Sequence, residues 1–196
     1  MRKNIVLTGV GGQGTVLASK LIAAAAMKKG LPVMSAETIG MAQRGGSVFS
    51  HLRIGEGIQS PMIAKGEADL ILGFEPGETL RMLDFLKTGG QIITAVRPVI
   101  PVTSALAGDS YDGIAQLAYL RSTGNPMLEI DMDRAIEELG SSKVLNVVML
   151  GAAAATGALG VTLDDLADAI RERLPEKFHA MNLQALSYGA GLQSGE

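Results

Sequence analysis

The chain of 196 residues is long enough for one sizeable core, and we expect a single domain over residues 1–196. Its net charge of −3 and the lack of any basic run argue against a nucleic-acid partner. No cysteine is present, which excludes disulfides, a thiol nucleophile and thiolate-held iron–sulfur clusters within these residues.

The amino-terminal part predicts a strand, a helix and a second strand, together a βαβ unit of a parallel sheet. The apolar run Ile5-Val6-Leu7 ends at Gly9, as expected of a strand buried on both faces. Good helix formers fill residues 15–28, and a strand follows at 32–36. Residues 47–54 alternate with a period of two, which indicates a half-covered strand that is antiparallel or lies at an edge.

The rest of the chain alternates strands with helices and ends in a helical third. We predict a strand at 69–74, a helix at 76–87, a strand at 90–96, an irregular segment at 97–110, a helix at 114–121, a strand at 127–130, and helices at 131–139, 142–158, 162–175 and 176–188. Thr162 and Asp165 form a start resembling a capping box. These elements predict a three-layer α/β/α domain with a mostly parallel, Rossmann-like sheet.

The helix at 142–158 is apolar almost all round, so we expect it to lie between the sheet and another layer. Its apolar stretch, interrupted by Asn146 and Gly151, falls short of the ~20 residues of a membrane span. The amino terminus lacks the apolar region and cleavage site of a signal peptide. We therefore expect a cytoplasmic protein with no membrane contact.

The turn GVGGQG has the spacing G-x-G-x-x-G at Gly9, Gly11 and Gly14. In dinucleotide-binding folds the first glycine permits the tight turn, the second admits a phosphate and the third lets helix pack on strand. The helix that follows directs its free N–H groups at the turn, which suits an anion. Gly12 and Gln13 make this turn looser than most.

The acidic residue that would hold a ribose is displaced in this sequence. Glu37 ends the second strand about thirty residues after Gly9, rather than the ~20 typical of a dinucleotide fingerprint. Phosphate or nucleotide contact and a purely structural turn therefore both remain open.

A second candidate site lies in the loop after the second strand. Arg44 is followed by Gly45, Gly46 and Ser47, directly before the next strand. Successive glycine N–H groups form an anion-binding concavity, and a guanidinium beside it holds a phosphate or carboxylate. Because loops at the carboxyl ends of strands open onto one crevice, we expect this loop to meet the glycine turn.

The remaining candidates are weaker. Glu75, Glu78 and Arg81 lie at another strand-to-helix junction that reaches the same crevice, although acidic residues at a helix start are also favourable for the helix itself. His51 and His179 have no partner at metal-ligand or triad spacing. We therefore predict no catalytic residue and no metal site in this chain.

Four motifs in order resemble the gamma-type domain of 2-oxoacid:ferredoxin oxidoreductases. They are GVGGQGTVLASKLIAAAA, ETIGMAQRGGSVFSHLRIG, SPMIAKGEADLILGFEPGETLR and NVVMLGAAAATG, and the resemblance runs from about Asn4 to the end of the chain. GMAQRGGSV stands where pyruvate- and ketoisovalerate-type relatives carry a GPE-type sequence before RGG. The resemblance is therefore to the branch that acts on indolepyruvate.

Such enzymes oxidatively decarboxylate a 2-oxoacid with thiamine diphosphate, reduce ferredoxin through iron–sulfur clusters and form an acyl-CoA. The resemblance implies that the thiamine and clusters belong to a larger alpha subunit, and the lack of cysteine here agrees with that division. It implies a hetero-oligomer with coenzyme A at this chain's crevice. Isolated chains, with an apolar carboxyl-terminal third, would form homodimers.

On this hypothesis, the glycine turn shapes the crevice without binding NAD. The candidate ligand-binding residues are Gly9, Gly11, Gly12, Gln13, Gly14, Arg44, Gly45, Gly46 and Ser47. Alternatives are the gamma subunit of a pyruvate-, ketoisovalerate- or 2-oxoglutarate-type enzyme, a free-standing NAD- or FAD-dependent oxidoreductase that uses Glu37, and a non-enzymatic nucleotide sensor.

Overall fold

The computed structural model describes residues 2–37, 45–100 and 111–192. The strands are β1 (Lys3–Val10), β2 (Val33–Glu37), β3 (Ser47–Ile54), β4 (Ala68–Gly73), β5 (Leu86–Ala95) and β6 (Met127–Ile130). The helices are α1 (Thr15–Lys28), α2 (Pro76–Arg81), α3 (Ile114–Ser122), α4 (Met132–Leu139), α5 (Leu145–Ala155), α6 (Leu163–Arg173) and α7 (His179–Gly191). Short 3₁₀ turns precede β5, α5 and α7 at Leu83–Phe85, Ser142–Val144 and Glu176–Phe178.

The six strands form one sheet in the order β2-β3-β1-β4-β5-β6. β1, β4, β5 and β6 pair in parallel, whereas β3 pairs antiparallel with both β1 and β2. The predicted, mostly parallel α/β sheet is confirmed. The simple βαβ unit is wrong in one respect: β1 and β2 run in the same direction, but β3 lies between them.

β3 is antiparallel as predicted, but it is neither at an edge nor half covered. His51 is fully buried on its second face and Arg53 is almost so. The loop after β3 folds back over this face, where His51 Nδ1 accepts a hydrogen bond from the Ile63 N–H (2.9 Å). Arg53 Nη1 donates to the carbonyls of Ser60 (3.2 Å) and Met62 (2.9 Å). Burial lowers the pKa of His51, so the imidazole stays neutral near pH 7.

Helices cover both faces of the sheet, as predicted. Alternate residues of each strand face opposite layers, and Ile5 and Leu7 enter the larger core with α1 and the helices of the carboxyl-terminal third. Val6 and Ile71 enter a smaller core on the other face. There α2 packs on β1, β4 and β5, and α3 packs on α2. None of the helices within the described ranges is long and apolar enough to cross a membrane.

Local signals placed most element boundaries correctly. The Thr162–Asp165 capping box at the start of α6 is confirmed, with both reciprocal hydrogen bonds formed (3.2 and 2.8 Å). The helix predicted at 76–87 is too long: α2 ends at Arg81, and Lys87 lies in β5. The strand begins early because Leu86 already pairs with Ala68 of β4.

α5 is buried along nearly its whole length and crosses α7 at unusually close range. A Cβ added to Gly151 would lie 2.1 Å from the Leu186 carbonyl oxygen. One added to Gly189 would lie 2.0 Å from the Val148 carbonyl oxygen. The two backbones therefore touch directly, and glycine is required at both positions for steric reasons.

We expect Gly189→Ala to lower the free energy of unfolding by about 1–3 kcal/mol, because the helices must separate to admit a methyl group. Gly191→Ala is the matched control in the same helix, since a Cβ there meets no heavy atom within 4 Å. Urea denaturation of the purified chain measures both. Equal midpoints for the two variants would contradict the close crossing.

Candidate functional site

The glycine turn connects β1 to α1 at the carboxyl end of the parallel strands, where ligands bind in open α/β sheets. Gly14 caps α1 in the left-handed conformation (φ 79°), and Gly12 has φ 103°. No side chain caps α1, and its first turn contains no acidic residue. The first N–H groups of α1 are therefore available as hydrogen-bond donors to an anion, which the positive end of the helix dipole would also attract.

Two of the glycines are required because another part of the chain lies against them. A Cβ at Gly9 would lie 2.9 Å from the Phe74 Cβ at the end of β4. A Cβ at Gly14 would lie 2.7 Å from the Asn146 side-chain nitrogen at the start of α5. Asn146 also donates to the Gly14 carbonyl (3.4 Å). These contacts account for both glycines without a ligand.

Gln13 joins the ends of two neighbouring strands. Its Oε1 accepts from the Val10 N–H (2.7 Å), and its Nε2 donates to the Phe74 carbonyl (2.8 Å). Its own N–H donates to the Val10 carbonyl (3.1 Å). Both ends of the side-chain amide are thus engaged within the fold, so Gln13 shapes the turn, and its ligand contact stays a prediction.

The glycine turn and the loop before β3 do come together, as predicted, but they do so by hydrogen bonds between their own backbones. Gly11 N–H donates to the Gly46 carbonyl (2.8 Å), and Gly45 N–H approaches the Gly11 carbonyl (3.4 Å). The N–H that would face a pyrophosphate in a dinucleotide-binding turn is therefore already used. Within the described residues, the Gly12 N–H has no backbone partner and no side chain caps the start of α1.

Ser47 is also engaged within the fold. Its hydroxyl donates to Glu78 Oε2 (2.5 Å), which lies 3.4 Å from Arg81 Nε. The junction that includes Glu78 does reach the crevice, as predicted, but it brings a carboxylate beside Ser47. Arg44 lies outside the described residues. Contact of a phosphate with Gly45, Gly46 or Ser47 stays a prediction, and Ser47 would have to give up its carboxylate partner.

The order of strands in the sheet argues against binding of a dinucleotide at the glycine turn. In that fold the acidic ribose ligand ends the strand next to β1. Here Glu37 ends β2, and β3 separates β2 from β1. Two inter-strand spacings amount to ~10 Å, so Glu37 is displaced by a whole strand from the position of a ribose ligand.

A cavity of about 660 Å³ opens on the other side of the glycine turn, towards β4, β5 and β6. Gly12, Gln13 and Gly14 form one wall, so these three predicted residues border it, whereas Gly9, Gly11, Gly45, Gly46 and Ser47 do not. The apolar lining comprises Leu17, Phe74, Pro98, Val99, Ile100, Met132 and Leu145. This volume is typical of a small-molecule site.

Two cationic side chains border the cavity and were not predicted from the sequence. Arg97 follows β5, and Lys143 precedes α5. Arg97 Nη1 pairs with Asp133 at 3.2 Å, and the Lys143 side chain is exposed. With the amino end of α1, they give a largely apolar cavity a positive rim, which suits a ligand with both apolar and phosphate groups. In the sequence, these two residues are marked only by their positions: Arg97 follows a predicted parallel strand, and Lys143 lies at the start of a predicted helix.

The chain matches the pyruvate ferredoxin/flavodoxin oxidoreductase family over residues 4–192. It therefore belongs to that family. Subunit IorB of the indolepyruvate oxidoreductase of Archaeoglobus fulgidus is 38% identical over 96% of this chain and 94% of its own. The corresponding subunit from Thermococcus kodakarensis is 35% identical over 95% of this chain and 93% of its own.

Solved structures share the fold. The gamma subunit of a keto/oxoacid ferredoxin oxidoreductase from Geobacter sulfurreducens has a TM-score of 0.71 at 23% identity, covering 98% of this chain and 99% of its own. A 2-oxoglutarate:ferredoxin oxidoreductase from Magnetococcus marinus has a TM-score of 0.72 at 20% identity. The match covers 98% of this chain but 31% of that one, so this fold forms about a third of the longer polypeptide.

We expect Gln13→Ala to lower the free energy of unfolding by about 1–3 kcal/mol, because Val10 N–H and the Phe74 carbonyl would lose their partners. Gln59→Ala, at an exposed position, is the control and should have little effect. Thermal unfolding of both variants is the measurement. If Gln13→Ala leaves stability unchanged and weakens only ligand binding, the side chain of Gln13 binds the ligand and does not stabilise the turn.

Proposed function

We propose that this chain is the gamma-type subunit of an indolepyruvate:ferredoxin oxidoreductase. Its complex would oxidatively decarboxylate an arylpyruvate to an acyl-CoA in the cytoplasm and reduce ferredoxin. The observation that carries the proposal is the 35–38% identity, over at least 95% of the chain, to the indolepyruvate oxidoreductase subunits of two archaea. The fold shared with gamma subunits supports it.

The thiamine diphosphate and the clusters would lie in a larger partner subunit. This chain has no cysteine for cluster ligation, and its crevice presents no constellation of acid, base and nucleophile among the described residues. Its task would be to complete the coenzyme A site beside the partner and to exclude water there. We therefore expect the isolated chain to be inactive.

Coenzyme A fits the chemistry of the cavity. Its phosphates would be held at the positive rim by the Arg97 and Lys143 side chains and by the first N–H groups of α1. The largely apolar lining, which includes Phe74 and Leu17, would cover the less polar part of the ligand. Arg44 belongs to this proposal as an additional phosphate contact.

The alternatives are less well supported. Subunits of 2-oxoglutarate and pyruvate synthases from Methanothermobacter are 27–28% identical to this chain, below the indolepyruvate subunits. A free-standing NAD- or FAD-dependent enzyme would need the Gly11 N–H and an acid on the strand beside β1. Gly11 donates to Gly46, and Glu37 lies beyond β3.

Reconstitution tests the assembly. The chain should co-purify with a larger, cysteine-rich, thiamine-binding subunit when the two are co-expressed. Arylpyruvate-dependent reduction of ferredoxin should require both, with a lower KM for indolepyruvate than for pyruvate or 2-oxoglutarate. Reduction of a nicotinamide or flavin by this chain alone would overturn the proposal.

Charge removal tests the coenzyme A site. In the assembled complex, Arg44→Ala and Lys143→Ala should each weaken coenzyme A binding by ~1–3 kcal/mol, because each would remove a charged hydrogen bond to a phosphate. Lys65→Ala is the control: this lysine pairs with Asp84 near the amino end of β4, whereas the cavity lies beyond the carboxyl ends of the parallel strands. Calorimetric titration with coenzyme A is the measurement, and an unchanged affinity removes that residue from the phosphate site.

A further inference from the structure

Glu75 is a buried carboxylate that the coenzyme A site does not use. It is 2% exposed and directly follows Phe74, which lines the cavity. As the N-cap of α2, it accepts the Glu78 N–H on Oε2 (2.9 Å). A serine or aspartate would satisfy that N–H equally well. The longer glutamate also extends its second oxygen, Oε1, to the Tyr111 hydroxyl, which donates to it at 2.5 Å.

The Tyr111 hydroxyl is held on two sides. It donates to Glu75 and accepts the Gly77 N–H (2.9 Å). A Cβ at Gly77 would lie 2.7 Å from the Tyr111 oxygen, so only glycine leaves room for this contact. Burial, and then the hydrogen bond to Glu75, raises the pKa of Tyr111, so the hydroxyl keeps its proton as the donor to Glu75.

The chain just after Tyr111 touches the wall of the cavity. Gly113 has φ 73°, and a Cβ there would lie 3.2 Å from Pro76 Cγ and 3.4 Å from Pro98 Cβ. Pro98 lines the cavity between Arg97 and Val99. The segment held by the Tyr111 hydroxyl thus fills the space between the start of α2 and the back of this wall.

We propose that Glu75 and Tyr111 are a positioning pair for the coenzyme A site. Together they hold the Gly113 backbone against Pro98 and thereby set the position of the Arg97 guanidinium at the cavity rim. This inference rests on the proposed function, because it takes coenzyme A as the ligand of the cavity. Neither side chain touches the ligand: they act through the wall, on binding and not on the chemical step.

The test uses the assembled two-subunit complex and three variants. Tyr111→Phe keeps the ring and removes the hydroxyl, Tyr119→Phe makes the same change at an exposed position of α3, and Lys143→Ala removes a charge of the cavity itself. Steady-state kinetics gives kcat and separate KM values for coenzyme A and indolepyruvate. Calorimetry gives the dissociation constant of coenzyme A.

We expect Tyr111→Phe to raise both the KM and the dissociation constant for coenzyme A by about three- to tenfold, the loss typical of one displaced hydrogen bond. The KM for indolepyruvate should stay unchanged, and so should every constant of Tyr119→Phe. A fall in kcat with both KM values unchanged would mean that Tyr111 serves only folding and would overturn the inference.

Lys143→Ala separates the inference from the function on which it rests. If Lys143→Ala weakens coenzyme A binding and Tyr111→Phe does not, the site stands and the positioning role is wrong. If neither variant changes coenzyme A binding, Lys143 is not a phosphate contact and the positioning role of Tyr111 is wrong, whereas the place of this chain in the oxidoreductase is decided by the reconstitution. If Tyr111→Phe raises the KM values of both substrates equally, its effect is not specific to this wall, and the inference is again overturned.

Discussion

The pairing of β3 with the end of β1 is the constraint on which the site depends. β3 runs antiparallel between β1 and β2, and at its start Gly46 accepts the Gly11 N–H (2.8 Å). That hydrogen bond closes the face of the glycine turn that a dinucleotide would use. It leaves Gly12, Gly14 and the amino end of α1 facing β4 and β5, where the cavity opens. Because β3 lies between β1 and β2, the part of the glycine turn that borders a cavity is on the β4 side and not on the β2 side.

Polar side chains near the glycine turn form hydrogen bonds within the fold, although by their position in the sequence some of them could have been ligand contacts. Gln13 spans β1 and β4, and Ser47 donates to Glu78. Asn146 lies against Gly14 at the start of α5. Each of these polar groups satisfies a partner within the fold, so a polar residue beside a glycine is weak support for a ligand. Among the described residues, the cationic side chains that border the cavity are Arg97 and Lys143, and they come from other elements.

Features encoded locally were predictable. The apolar β1, the capping box of α6 and the buried α5 followed from periodicity and end signals within a single segment. Features formed by distant segments were not. The period of two in β3 predicted that one of its faces is uncovered, yet the loop that follows covers His51 and Arg53. Likewise, the residues around the cavity come from five separate stretches of the chain. The spacing of residues within one stretch does not predict which distant stretches come together in the fold.

The glycine crossing of α5 and α7 has a mechanical consequence. With backbone against backbone at Gly151 and Gly189, no flexible side chain lies between the two helices to absorb a sliding or rolling motion. The side chain of Asn146, at the start of α5, donates to the Gly14 carbonyl beside the cavity. A displacement of α7 would therefore also shift α5 and, through Asn146, the start of α1.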